Sequence, residues 1–140
     1  MSIISISKEI KTKGNTDCHN ITPEVAGAVK GSGLNSGIVT VFIPGSTAAV
    51  TTIEFEEGVV QDLSGALERL IPQGITYSHN ERWQDGNGYS HVRAAFIGPS
   101  LTIPFLKGEL QLGKWQQIVL IDFDNRGRNR RYLINIMGEK

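Results

Sequence analysis

The apolar positions alternate with polar ones over most of the chain, and only one long stretch follows a helical period. Ile3 to Ile10 sets isoleucines among serines and reads as an opening strand. Lys13-Gly14-Asn15 reads as a tight turn into a second strand, Thr16 to Ile21, so the start is expected to be a hairpin. Thr22-Pro23-Glu24 is a helix-start signal: a hydroxyl for the free N–H groups, a proline where no N–H is needed, and an acid at the positive end of the dipole. Val25, Ala26 and Val29 would be its buried face, and Gly31 and Gly33 stop it early.

Gly37 to Ile43 is a β-branched apolar run of strand length, expected to be a central strand buried on both faces. Pro44-Gly45-Ser46-Thr47 interrupts it and Ala48 to Glu54 resumes as a strand. Val59, Val60, Leu63, Ala66, Leu67, Leu70 and Ile71 recur at helical spacing until Pro72 and Gly74 close the run, which makes this segment scaffold. His91 to Ile97 and Ser100 to Leu106 read as strands, Lys107-Gly108-Glu109 as a turn, and Gln116 to Phe123 as a long apolar strand. Arg131 to Met137 is expected to pair with that strand across Asn125-Arg126-Gly127. The fold class is therefore α+β, a β-rich single domain over residues 1–140 of mostly antiparallel strands with about two helices.

Composition narrows the function classes. A chain of 140 residues suffices for one core of ordinary size. Net charge is zero and no basic stripe appears, so the electrostatic footprint of a nucleic-acid binder is missing. Arg126, Arg128, Arg130 and Arg131 cluster in an expected turn, offset by Asp122 and Asp124; most of the cluster reads as a solvated loop, with one or two arginines free to meet an anion. Cys18 is the single cysteine, which excludes an internal disulfide and a thiolate metal cluster and favours a reducing cytoplasm. No basic segment followed by an apolar one stands at Met1, and no apolar run approaches the roughly 20 residues that span a bilayer. A soluble, cytoplasmic protein without a membrane partner is expected.

Candidate chemistry is concentrated between His79 and Asp122, where two of the three histidines and both tryptophans fall. His79, Asp85 and His91 stand at even intervals across Asp85-Gly86-Asn87-Gly88. Imidazole and carboxylate are a usual ligand set for a divalent metal, although Asp-Gly and Asn-Gly are equally hairpin dipeptides. His91 and Arg93 would share a face on a strand, a pairing suited to a phosphate ester: arginine as a two-pronged donor, histidine as proton donor. The alternative makes Arg93 a salt-bridge former at the rim. Ser46 and Thr47 offer hydroxyl and N–H donors to an anion, or simply cap a turn. Trp83 and Trp115 read as core or interface anchors, and one of Gln116 and Gln117 must point inward.

The runs His79-x-x-x-Trp83-x-Asp85-Gly86-Asn87-Gly88-x-Ser90-His91-x-Arg93-Ala94, Gly98-Pro99-Ser100-Leu101-Thr102-Ile103-Pro104 and Gly113-x-Trp115-Gln116-Gln117-Ile118 resemble the YjbQ family over nearly the whole chain. Ile43 to Ala49 and Phe123 to Arg126 resemble it as well. Tyr89 stands where many members carry histidine, as does Gly45 where some do. The resemblance implies a compact α+β subunit, a homotrimer with sites near subunit boundaries, and secondary thiamine-phosphate synthase activity, which joins hydroxymethylpyrimidine diphosphate to thiazole phosphate. Open alternatives are a metal-dependent hydrolase or lyase on a phosphorylated metabolite and a non-enzymatic metabolite-binding trimer. Taken with the spacing, it makes His91, Asp85 and Arg93 catalytic candidates. Ser46, Thr47, Asn87, Ser100, Trp115 and Gln116 become substrate-binding candidates, and His79, Asp85 and His91 ligands of a possible divalent metal. The partner expected is a small phosphorylated metabolite.

Overall fold

A computed structural model describes residues 1–140 as eight strands and four helices in two sheets. Strands β1 (Ser2–Thr12), β8 (Arg128–Glu139), β3 (Ser36–Phe42), β5 (Ser100–Leu106) and β6 (Glu109–Leu110) form one antiparallel sheet in that order. Strands β2 (Asp17–Asn20), β7 (Gln116–Asp122) and β4 (Ala48–Glu54) form a second. Helix α1 (Thr22–Ser32) begins at the expected Thr-Pro-Glu, but the Thr22 hydroxyl does not cap it: it accepts from the Ile118 N–H of β7 at 2.8 Å. Helix α2 (Glu57–Leu70) begins where the Glu56 carboxylate accepts from the N–H groups of Gly58 and Val59.

Strand β7 explains the layering. Its alternate residues Ile118 and Leu120 join Val25 and Val29 of α1 and Val39, Val41, Ile134 and Ile136 of the larger sheet in one core. Val119 and Ile121 face the other way, onto Leu67 of α2 and Tyr89 and Ala94 of helix α4 (Gly88–Ile97). The smaller sheet is thus a middle layer with apolar contacts on both faces, which is why Gln116 to Phe123 is so continuously apolar.

Several expectations give way here. The opening strands make no hairpin: β1 pairs with β8 and β2 with β7, so Lys13–Thr16 carries the chain from one sheet to the other. Nor do β7 and β8 pair, because Phe123–Gly127 makes the return crossing. Strand β3 is central but one-sided, since Ile38 and Phe42 point out from the larger sheet. His91 to Ile97 is not a strand but most of α4, and a short helix α3 (Ser78–Trp83) precedes it, giving four helices where about two are expected. The helical signal is the pair of i, i+4 couples Tyr89/Arg93 and Ser90/Ala94, all buried, which the period-2 reading of His91 and Arg93 obscures. Gly88 permits the tight α3–α4 junction: a Cβ there would lie 2.5 Å from the Tyr77 Cβ, and its N–H donates to Asn80 Oδ1 at 2.8 Å. No helix is long and apolar enough to cross a membrane.

Candidate functional site

Both sheet crossings meet at one end of the molecule, and the charged residues lie there. Asp122, at the end of β7, accepts from Arg130 Nε at 2.7 Å and Nη2 at 2.9 Å, from the Thr12 hydroxyl at 2.5 Å and from the Asp124 N–H at 2.9 Å. Asp124 accepts from Arg128 Nε at 3.0 Å and Nη2 at 2.7 Å, from the Thr47 hydroxyl at 3.0 Å and from Asn87 Nδ2 at 3.2 Å. Both aspartates are fully buried. Burial pushes the Asp124 carboxyl up, but the hydrogen bonds from Asn87, Arg128, Asn125 and Thr47 outweigh it and hold the group at about 2. Asp122 is likewise lowered, burial being outweighed by Arg130, Thr12 and the Asp124 N–H.

This network is the floor of a cleft of about 380 Å³ between the Pro44–Thr47 loop, the α3–α4 junction and the start of β8. A second lobe of about 250 Å³, lined by Gly45, Ala48, Ala94, Ala95 and Pro99, joins it along a wall shared by Ser46 and His91. Arg130 spends Nε and Nη2 on Asp122 and Thr47, whereas its Nη1 makes no protein hydrogen bond. The backbone N–H groups of Gly45, Ser46 and Thr47 donate to no protein acceptor either. Gly45 has φ +123°, and a Cβ there would sit 3.0 Å from Arg130 Nη1, so glycine both fits the backbone and leaves that donor open.

Opposite the loop stand two imidazoles. His79 on α3 and His91 on α4 have ring centroids 4.3 Å apart at an interplanar angle of 47°. His79 Nε2 lies 3.1 Å from Asp85 Oδ2 and 3.0 Å from Asn87 Oδ1. Asn87 must turn its amide nitrogen to the acceptor-only Asp124 carboxylate, so its oxygen faces His79 and Nε2 of His79 carries a proton. His91 is different: neither ring nitrogen bonds to a protein group. Burial, then the neighbouring His79, push its imidazole below the usual range, with Asp85 and Asp124 acting in the opposite direction.

The site residues expected from the sequence divide into four groups. Ser46, Thr47, His79, Asp85, Asn87 and His91 come together in this cleft. Arg93 does not. On a helix, residues two apart point about 200° away from each other, and Arg93, 1% exposed, instead donates to the Ile71 carbonyl, Glu68 and Thr16 beneath α2. Ser100 and Gln116 line a separate groove of about 300 Å³ between β4 and β5. Trp115 is 64% exposed with the Lys114 ammonium over its ring. Trp83 is no core anchor, being 65% exposed at the rim of the cleft. Gln117 is the inward glutamine and accepts from Asn20.

Reading most of the Arg126–Arg131 cluster as a solvated loop, with one or two arginines free to meet an anion, misses that Asp122 and Asp124 are fully buried beneath Arg128 and Arg130. Their spacing, Asp-x-Asp then Arg-x-Arg, is the available signal, since period 2 puts each pair on one side of its segment.

The three expected metal ligands, His79, Asp85 and His91, share the cleft but do not converge on one point as ligands. His79 Nε2 holds a proton between two acceptors, and no three His, Cys, Asp or Glu side chains converge as ligands. Tyr89 is buried with its hydroxyl on Asn15 Oδ1 at 3.2 Å and its ring under Arg93. As placed, His79, Asp85 and His91 do not make a ready three-ligand set for a divalent metal.

A profile of the family described as UPF0047 protein YjbQ-like matches residues 7–139. The chain belongs to the YjbQ/UPF0047 family. It is 33% identical to a UPF0047 protein of Methanothermobacter thermautotrophicus over 99% of this chain and 95% of the relative. A UPF0047 protein of Archaeoglobus fulgidus is 32% identical over 91% and 97%. Among solved structures, a YjbQ-like protein of unknown function from Sulfolobus solfataricus P2 superimposes with a TM-score of 0.89 at 28% identity, covering 99% of this chain and 100% of the other. An uncharacterised conserved protein of the YjbQ/UPF0047 family from Clostridium acetobutylicum gives 0.86 at 33% identity, covering 94% and 99%. These relatives bear family names or the words "unknown function", and none is named a thiamine-phosphate synthase. The synthase activity implied by the family resemblance is therefore overturned and does not carry over to this chain.

Proposed function

We propose that the cleft binds a small phosphorylated metabolite and that its two histidines move protons at the bound phosphate ester. The observation that carries this reading is the set of unspent donors on one wall: Arg130 Nη1, the Ser46 hydroxyl and the N–H groups of Gly45, Ser46 and Thr47. Phosphate oxygens need several donors converging from fixed positions, and a guanidinium beside a turn of free N–H groups supplies them. The buried aspartates hold the arginines rigid, so little side-chain freedom is lost on binding. His91, unbonded on the facing wall, has a nitrogen free to take or give a proton at the ester oxygen.

Inorganic phosphate is the simplest probe. Titrated into ¹⁵N-labelled protein, it should shift the amide signals of Gly45, Ser46 and Thr47 saturably, and Ser46→Ala should weaken that response. Amides that stay in place while phosphate is raised to saturation of any specific site would defeat the reading.

Association into a homotrimer belongs to the same proposal. The outer face of the larger sheet carries the row Ile3–Met137–Ile38–Pro104, one residue from each of four neighbouring strands, with Ile3, Met137 and Ile38 substantially exposed. An apolar row of this kind is a surface for a second copy. Light scattering should give about three times the 15.3 kDa chain mass, and Ile38→Lys should lower it.

A further inference from the structure

We propose that His91 is a phosphoryl acceptor: within the cleft it attacks the phosphorus of a bound phosphate monoester and carries the phosphoryl group on a ring nitrogen. This rests on the reading of the cleft as a phosphate site and adds a covalent step to it.

The chain has three histidines, and their surroundings set them apart. His19 directs Nε2 at Asp17 Oδ2, 2.7 Å away. His79 has Nε2 between Asp85 and Asn87. Only His91 has both nitrogens uncommitted, and only His91 lies on the wall shared by the two lobes, with Ser46 and the free donors of the loop within the same cleft. A nucleophile must offer a lone pair that no protein group already holds. His91 meets that condition and sits on the first turn of α4, whose packing on the smaller sheet fixes its position.

The step balances without a metal. A His91 nitrogen lone pair forms the N–P bond while the P–O bond to the leaving group breaks and its electron pair departs with oxygen. That oxygen takes a proton from the imidazolium form of His79, whose charge Asp85 offsets at 3.1 Å. Charge accumulating on the transferring phosphoryl oxygens meets Arg130 Nη1 and the loop N–H groups. Release reverses the roles: water attacks phosphorus, its proton returns to His79, and the N–P electron pair returns to His91 as inorganic phosphate leaves.

Phosphoramidate, a small donor that phosphorylates histidine, provides the test. The full chain is treated with it, digested under alkaline conditions that preserve the N–P bond, and mapped by mass spectrometry. His91 should gain the phosphoryl group about tenfold faster than His19, the internal reference, because the cleft holds the donor against it. Excess inorganic phosphate should slow labelling at His91 and leave His19 unaffected. Labelling of His91 no faster than His19, or insensitive to phosphate, overturns the proposal. The amide titration separates the two levels of argument: shifts at Gly45–Thr47 without an adduct on His91 sink the acceptor and leave the binding reading standing, whereas no shifts remove both. His91→Gln, which keeps an amide of similar reach, should still give the phosphate-induced shifts while losing the adduct, and an adduct that persists in it overturns the assignment.

Discussion

Asn87 Nδ2 lies 3.2 Å from Oδ1 of the fully buried Asp124, and that one bond determines which end of Asn87 meets His79. A carboxylate accepts only, so the amide nitrogen goes to Asp124, the amide oxygen to His79, and the proton to Nε2. A catalytic-looking imidazole on α3 is therefore oriented by a residue of the Phe123–Gly127 crossing between the sheets.

Asn87→Leu tests the cost of that arrangement. The variant leaves one Asp124 oxygen without its side-chain donor, and a hydrogen bond to a buried charged group contributes about 1.5–3 kcal/mol. Urea unfolding should show a loss of that size. The Nε2–H tautomer of His79 should survive, because Asp85 still accepts from it at 3.1 Å, as ¹⁵N imidazole shifts would report. A stability change near zero would mean that water replaces the amide.

Arg130→Met separates support from recognition. Removing the guanidinium strands the buried Asp122, which otherwise receives two of its hydrogen bonds. Breaking a buried ion pair from one side costs about 3–5 kcal/mol. Arg130→Lys should recover part of the stability yet not phosphate affinity, because a compact ammonium held at Asp122 has no donor at the position of Nη1. Equal affinity in the lysine variant would contradict the role given to Nη1.

Acid stability should follow the groups with depressed values, the buried carboxylates Asp122 and Asp124 at the acid end and His91 above them. Asp124 titrates at about 2 in the folded protein against an ordinary value of 3.8, so the unfolded chain binds its proton first. Its contribution is full above pH 3.8 and is lost as pH falls through about 2. His91 is also lowered from 6.5, so protonating it opposes folding and stability declines as pH drops below 6.5. His91→Gln should flatten the upper part of that decline and leave the part below pH 3.8 intact. A pH profile indifferent to this change would show that His91 is not the group responsible.

Legibility in the sequence follows the range of the interactions. Helix α2 declares itself because its apolar stripe is local, and so do the strands other than the two-residue β6, which falls where the sequence reads as a turn. Pairing does not, since nothing between Asn125 and Gly127 says that β8 joins β1 and β3 in another sheet. The site suffers accordingly. His79, Asp85, Asn87 and His91 are close in sequence and are read together, whereas Arg128 and Arg130 reach the same cleft only through the sheet crossing. Arg93 misleads for a local reason: with His91 on a helix rather than a strand, the two side chains part company.

Arg93 provides a test of scaffold against site. Its guanidinium donates twice to the Ile71 carbonyl and pairs with Glu68 at 2.6 Å, tying α4 to the end of α2. Arg93→Met should lower stability by about 2–4 kcal/mol, chiefly through the buried carbonyl left without its donors. Phosphate affinity, measured on the folded protein, should be unchanged because Arg93 faces away from the cleft. A selective loss of affinity would return Arg93 to the site.

Gly45→Ala addresses the loop itself. At φ +123° only glycine is at ease, and backbone strain of this kind costs about 1–3 kcal/mol. The new methyl would also stand 3.0 Å from Arg130 Nη1, tighter than an ordinary contact, and cover the donor proposed to meet phosphate. Both effects predict weaker binding, but they differ in what they do to stability. Strain lowers the unfolding free energy whether or not phosphate is present, whereas a blocked donor removes only the extra stabilisation that phosphate confers. Thermal unfolding with and without phosphate distinguishes them. The expected result is a lower midpoint together with loss of the phosphate-induced rise; a lowered midpoint that phosphate still raises by the wild-type amount would place the anion elsewhere than beside Arg130.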